Sequence, residues 1–281
     1  MSSIKKTDHF YLIDGSGYIF RAYYALPPLS RKSDGLPTGA VNGFCSMLFK
    51  LLEDARSDDS KNKPTHFAVI FDSARKNFRN EIYSDYKANR AEAPDDLVPQ
   101  FEYIRKSVKA FNLPSVELLN YEADDLIARW IDKHPDDKHV IISTDKDLNQ
   151  LVKENVKQYN GVTEQTMTHE GWFDAKGNPV IDKKTKAPKS APDVDWIIFE
   201  KAMRGDPSDN IFSAYPGVRT KGTKNKIGLQ EAFADRKEKG YTWNNLMLTK
   251  WVDHDGKEHR VMEDYERNRL LVDLHLSLIH I

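Results

Sequence analysis

Three short apolar runs, His9–Ile13, His66–Phe71 and His139–Ile142, each reach an aspartate within three residues of their end: Asp14, Asp72, and Asp145 with Asp147 close behind. Runs of this length and composition read as buried strands. Between them lie helical stripes, one through Val41, Phe44, Leu48, Leu51 and Leu52, another through Phe101, Ile104, Val108 and Phe111. The alternation predicts an α/β fold, a mostly parallel central sheet with helices on both faces. In such a sheet the strand ends meet along one edge, where ligands bind. Residues far apart in the chain are therefore expected to converge there.

A short strand expected over Val116–Leu119 leads to Tyr121-Glu-Ala-Asp-Asp-Leu-Ile-Ala-Arg-Trp130. Leu126, Ile127 and Trp130 give this helix a buried face, while Glu122, Asp124 and Asp125 crowd its first turn. Singly, each acid could be a plain helix cap or a loop residue. Together they repel one another unless a cation sits among them. A helix over Trp196–Met203 then delivers Gly205-Asp-Pro-Ser-Asp-Asn210, adding Asp206 and Asp209. Carboxylates without histidine or cysteine partners suit magnesium or manganese better than zinc. Nine acids are too many for one ion, so two ions and hydrolysis of a phosphate ester are expected.

The substrate of such a site is polyanionic, and the rest of the sequence agrees. Between the second run and the next helix lie Arg79, Lys87 and Arg90 with Tyr83 and Tyr86, residues able to hold phosphates and stack a base. Lys221, Lys224 and Lys226 accompany Gly217 and Gly222 in a loop that opens a helix over about 227–239, where backbone amides could approach a phosphate. A solvated helix face and a flexible loop are the bland readings of these two stretches. The net charge of −1 across 281 residues does not oppose nucleic acid, because clustered acids mask basic patches. One cysteine excludes an internal disulfide and fits a reducing compartment. No apolar run approaches 18 residues, so the expectation is a cytoplasmic chain without a membrane partner.

Ile13-Asp-Gly-Ser-Gly17 with the following Tyr-Ile-Phe-Arg-Ala-Tyr-Tyr-Ala-Leu-Pro27, Phe71-Asp72, Phe78-Arg-Asn-Glu-Ile-Tyr83, Tyr86-Lys-Ala-Asn-Arg90, Tyr121–Ile127, Ser143-Thr-Asp-Lys-Asp-Leu148 and Gly205–Asn210 resemble, in order, the 5'-3' exonuclease domain of bacterial DNA polymerase I and its stand-alone phage and flap endonuclease relatives. The resemblance covers roughly residues 9–228. It implies a PIN-like nuclease core, a helical arch over about 73–99, and a C-terminal helical region like a helix-three-turn-helix that binds DNA. It also implies one metal cluster on Asp14, Asp72, Glu122, Asp124 and Asp125, and a second on Asp145, Asp147, Asp206 and Asp209. Lys87 and Arg90 correspond to catalytic arch residues at the scissile phosphate, Arg21 and Arg79 to nearby phosphate contacts, and Tyr86 to a tyrosine that stacks on a flipped nucleotide.

The expected organisation is a nuclease core over residues 1–193, with a hairpin insertion at about 161–192, and a helical DNA-binding region over 194–281. The expected partners are DNA with 5' ends, flaps or nicks and RNA–DNA hybrids, and the chain is expected to act as a monomer. The sequence departs from the family after Asn210. Pro216–Gly228 is longer than the family's compact glycine-lysine element and lacks its second glycine pair, which leaves the family's potassium site in question. Leu276–Ile281 breaks the preceding amphipathic pattern and is expected to be foreign to the native C-terminus. Two other readings of the residues are a related metal-dependent ribonuclease and a DNA-binding module without catalysis. The long basic segment and Gly205–Asn210 argue against the first, and the presence of all nine acids against the second.

Overall fold

The computed structural model describes residues 8–57, 63–216 and 228–277. It divides into two units: Met1–Arg75 with Glu92–Ala191, and Lys76–Ala91 with Pro192–Ile281.

Among the described residues, the first unit is built on a seven-stranded sheet in the order β3-β2-β1-β4-β5-β6-β7. Its strands are β1 (His9–Asp14), β2 (His66–Ile70), β3 (Ser115–Val116), β4 (Lys138–Ile142), β5 (Val156–Asn160), β6 (Gln165–Thr168) and β7 (Gly171–Phe173). β1 to β5 run parallel, and β6 and β7 run antiparallel. Chain order moves outward from β1 on one side and resumes with β4 on the other, so the switch point lies between β1 and β4. Register sets what meets there: Ile13 pairs with both Val69 and Ile142. The next residue on β1 is Asp14, level with Ser143 after β4.

Period-2 alternation explains why these strands read as unbroken apolar runs, since both faces are covered. On one face Ile13, Val69, Val140 and Ile142 pack with α1 (Gly15–Ala25), α2 (Gly39–Ser57) and α4 (Val98–Ala110) through Ile19, Phe44, Leu48, Ile104 and Val108. On the other, α5 (Ala123–Lys133) lies against β1 and β2, with Trp130 edge-on to Phe10.

Several expectations change. The strand expected over Val116–Leu119 is only Ser115–Val116. The hairpin expected within 161–192 is present, but β6 and β7 also continue the main sheet. Of the segment expected as a helical arch, only α3 (Arg79–Ile82) is helical before Leu97. The reason is local: Asn77 and Asn80 turn their side chains onto backbone groups, and Lys87 takes the left-handed conformation at φ 54°. Residues 76–91 also belong to the second unit and not to the nuclease core in which they were expected.

That second unit is mainly helical, with α6 (Val194–Arg204), α7 (Leu229–Asp235), α8 (Tyr241–Met247), α9 (Val261–Val272) and α10 (Leu274–Ser277). Phe199, Met203, Leu229, Leu246, Tyr265 and Leu271 fill its core. An unexpected hairpin, β8 (Lys250–Val252) and β9 (Glu258–Arg260), is pinned by His259. Its ring nitrogens lie 2.9 Å from Asp253 and 2.8 Å from Asp264, and its faces stack on Trp251 and Phe212.

One support has no local sequence signal. The fully buried Gln100 on α4 accepts from Ala40 N at 2.8 Å and Val41 N at 3.2 Å, serving the open amides at the start of α2. Its own amide donates to Asp96 O. Gln100→Ala is expected to cost about 2–3 kcal/mol in urea unfolding by leaving those donors buried and unmet; a loss below about 0.5 kcal/mol would show that the amides find other acceptors.

Candidate metal centre

Asp14 closes β1 and caps α1: its Oδ1 accepts from Gly17 N at 2.9 Å. Two glycines allow the strand to turn into the helix so tightly. A Cβ at Gly15 would stand 2.5 Å from the Phe71 ring, and one at Gly17 would stand 2.6 Å from Asp14 Oδ2. Asp14 Oδ2 also accepts from Ser143 Oγ at 2.7 Å, the contact that the register between β1 and β4 anticipates. Ser143 Oγ in turn accepts from Asp145 N, and Asp145 Oδ1 from Asp147 N at 2.8 Å. Gln158 on β5 donates to the carbonyl of Asp145, fixing the loop from the neighbouring strand.

Asp72 is held in a similar way. Its amide donates to Ser16 Oγ at 2.9 Å, and its Oδ1 accepts from Ala123 N at 2.7 Å, at the first turn of α5. Arg105 donates to the Asp72 carbonyl while pairing with Glu117. At the head of α5, Glu122 and Asp125 form a reciprocal capping box, with Glu122 N donating to Asp125 Oδ2 at 3.0 Å. Asp125 is fully buried, whereas Asp124 is half-buried and feels the charges of Asp145, Asp14, Glu122 and Asp72.

The acids feel one another. Burial first, then the charges of Asp72 and Asp145, push Asp14 up to about 6, although the Gly17 and Ser143 hydrogen bonds pull it down. Burial also raises Asp124 well above the ordinary carboxylate range, reinforced by Asp145, Asp14, Glu122 and Asp72. Folding thus brings Asp14, Asp72, Glu122, Asp124 and Asp145 within electrostatic reach at a single edge. The donor set is oxygen only, without histidine or cysteine, which fits hard divalent ions.

Asp206 and Asp209 lie in the second unit on the loop after α6. Burial alone would raise Asp206, but Lys201, 2.7 Å away, and Ser208 outweigh it and hold the carboxyl low. Asp209 pairs with Arg90 at 2.6 Å and accepts from the Tyr86 hydroxyl, and its carbonyl accepts from Lys87 N. The Lys87 ammonium stands over the Tyr86 ring.

Two expected DNA contacts are corrected. Arg79 is 1% exposed, donating to the Leu271 carbonyl and stacking on Phe78, so its guanidinium holds α3 to α9 instead of facing solvent. Tyr86 is 4% exposed within the core of the second unit, so its ring presents no face for a base. Tyr83 is half-buried beneath Arg267, and Arg21 donates to the Gly161 carbonyl. Lys221, Lys224 and Lys226 lie outside the described residues. Sequence reasoning gave no role to Ser16, Arg105 or Gln158. Only the position of Ser143 beside an acid-bearing strand end could have marked it.

A parallel sheet with carboxylates gathered at its switch point defines an α/β protein whose functional edge suits hard cations. The chain belongs to the 5'-3' exonuclease family: the family model for the 5'-3' exonuclease N-terminal, resolvase-like domain matches residues 9–177. It is 46% identical over 234 residues to DNA polymerase I of Rhizobium leguminosarum, an alignment covering 83% of this chain and 21% of that protein. It is 35% identical over 271 residues to a 5'-3' exonuclease of Aquifex aeolicus, covering 95% of this chain and 82% of the relative. The chain therefore spans about a fifth of the DNA polymerase I relative. Its fold matches that of a phage T5 flap endonuclease solved with DNA and metal ions, with a TM-score of 0.60, 21% identity, and coverage of 97% and 91%.

The repulsion has a measurable sign. A carboxyl raised in the folded state costs no stability below its unfolded value near 3.8, and the penalty grows as pH rises through the folded value. Asp124→Asn is therefore expected to raise the melting temperature of the metal-free chain by several degrees at pH 8, a gain that fades toward pH 4. Equal melting temperatures at pH 8 would mean that Asp124 is not under strain.

Proposed function

We propose that this chain is a divalent-metal-dependent 5' nuclease that hydrolyses phosphodiester bonds at 5' ends and 5' flaps of DNA. The observation that carries this reading is the convergence of Asp14, Asp72, Glu122, Asp124 and Asp145 at one sheet edge, set by the register of β1, β2 and β4 and by the contacts of Asp14 with Ser143 and of Asp72 with Ala123. The upward shifts of Asp14 and Asp124 agree with it. The family and the shared fold support it. Flap and primer removal in replication or repair, on DNA or RNA–DNA hybrids, is the role that fits this chemistry.

Asp14, Asp72, Glu122, Asp124 and Asp125 are the proposed holders of a first magnesium or manganese ion. Asp145 and Asp147 are assigned to a second, and Asp206 and Asp209 keep their proposed part in it on the family resemblance. Bound there, the ions supply an activated water and neutralise charge on the reacting phosphate.

The chain's own residues prepare that chemistry. Ser143 and the Gly17 amide fix both oxygens of Asp14, so its orientation is set before any ligand arrives. The Asp72 carboxylate is oriented by Ala123 N, and its backbone by Ser16 and Arg105. Burial and the neighbouring acids favour the protonated form of Asp124 in the metal-free chain, so binding of a cation there is expected to tighten as pH rises. Lys87 and Arg90 are proposed to face the scissile phosphate, Lys87 stabilising the charge that develops on its oxygens.

Asp145→Asn is expected to abolish magnesium-dependent cleavage of an end-labelled 5'-flap duplex while leaving DNA binding largely intact; wild-type rates would reject the site. Lys87→Ala is expected to lower kcat by about 100-fold or more with KM little changed. A loss mainly in KM would make Lys87 a phosphate anchor instead.

A further inference from the structure

Beyond β7 the first unit carries a structure for which neither the sheet edge nor its acids has any use. Residues 171–191 hold five lysines, Lys176, Lys183, Lys184, Lys186 and Lys189, against two aspartates, Asp174 and Asp182. Both aspartates are occupied by the backbone. Asp174 accepts from the amides of Lys176 and Asn178, and Asp182 from those of Lys184 and Thr185. Each carboxylate thereby builds one tight tip, the first finished by Gly177 at φ 80°, the second by Lys186 at φ 58°.

The arms between the tips are cross-linked. Val180 N donates to the Trp172 carbonyl at 2.8 Å, Lys189 N to that of Val180 at 2.7 Å, and Trp172 N to that of Lys189. The result is a narrow ladder continuing β7, with Lys189 lying over the Trp172 ring at 3.5 Å. Lys176 stands at the first tip and Lys183, Lys184 and Lys186 at the second, all exposed. Among the described residues, none of these four makes a side-chain ion pair. The tips thus present a local excess of positive charge, because Asp174 and Asp182, whose carboxyls the backbone amides hold low and ionised, are two against five lysines.

We propose that this double-tipped basic ladder is a docking surface for the phosphate backbone of duplex DNA, separate from the acid-lined edge. A single strand would call for exposed rings on which bases stack. The ladder's tryptophan is covered by Lys189 instead, which leaves backbone charge as the feature it can read. The proposal rests on the nuclease reading for its choice of nucleic acid, and it explains why a chain of net charge −1 can hold DNA. Edge lysines can also simply deter strand-to-strand aggregation, and the experiment separates the two roles.

Binding of a blunt, unbranched duplex is measured by fluorescence anisotropy without divalent metal across a salt series. The wild-type chain is compared with a Lys183→Ala, Lys184→Ala, Lys186→Ala variant and with the corresponding triple change to Gln. Each phosphate contact contributes about 0.9 to the slope of log affinity against log salt. Both variants are expected to lower that slope by about 2–3 and to weaken binding by about 10-fold or more at low salt. An unchanged slope in variants that melt like the wild type would overturn the proposal, as would aggregation with binding intact. If the wild-type chain binds with the larger slope yet cleaves no 5'-flap DNA in magnesium, the nuclease reading fails and the docking surface stands. If it cleaves and the slopes are equal, the docking surface alone fails.

Discussion

Mutual repulsion among Asp14, Asp72, Glu122, Asp124 and Asp145 is the constraint on which the first unit depends. Carboxylates placed so close oppose folding unless other interactions fix their positions. The chain meets this with parallel register, which sets strand ends side by side, and with glycines that let β1 turn into α1 beside Phe71. Hydroxyls and amides then orient individual oxygens: Ser143 and Gly17 for Asp14, Ala123 for Asp72. The site carries this repulsion in the metal-free chain.

The second unit solves a different problem. Of the candidate acids, the two that lie in it are each paired with a basic side chain, Asp206 with Lys201 and Asp209 with Arg90. Basic and aromatic residues of segment 76–91 are spent in the same unit on structure. Arg79 ties α3 to α9, Tyr86 fills the core, and Arg267 covers Tyr83. A segment rich in arginine and tyrosine looks like a nucleic-acid surface in one dimension, yet part of it is internal mortar. Lys87 and Arg90 stand apart because their side chains are not enclosed to the same degree.

Much of the fold was legible for a simple physical reason. Strands covered on both faces must be continuously apolar, and helices covered on one face must be periodic, so the alternation of the first unit is written in hydrophobicity. Positions of Asp14, Asp72, Asp145 and Asp147 follow from the same logic, because residues at parallel strand ends share an edge. Less was legible in segment 76–91, where asparagine side chains and a left-handed lysine replace the expected helix, and in β6 and β7, whose sheet membership depends on the partner strand β5.

The sequence by itself determined the α/β class, the acids and the family resemblance, since periodicity and spacing are properties of the chain. Tertiary structure alone decided which supports those acids receive and which basic residues face solvent. Ser143 meets Asp14 across 129 positions, Gln100 serves α2 from 60 residues away, and Arg79 is buried by a helix 192 residues downstream. Such contacts depend on register and packing between distant segments, which no local pattern encodes. The two aspartates under the lysine-bearing tips are a local case with the same lesson: only once their carboxylates are seen bound to backbone amides is it clear that they shape the turns from which the lysines project.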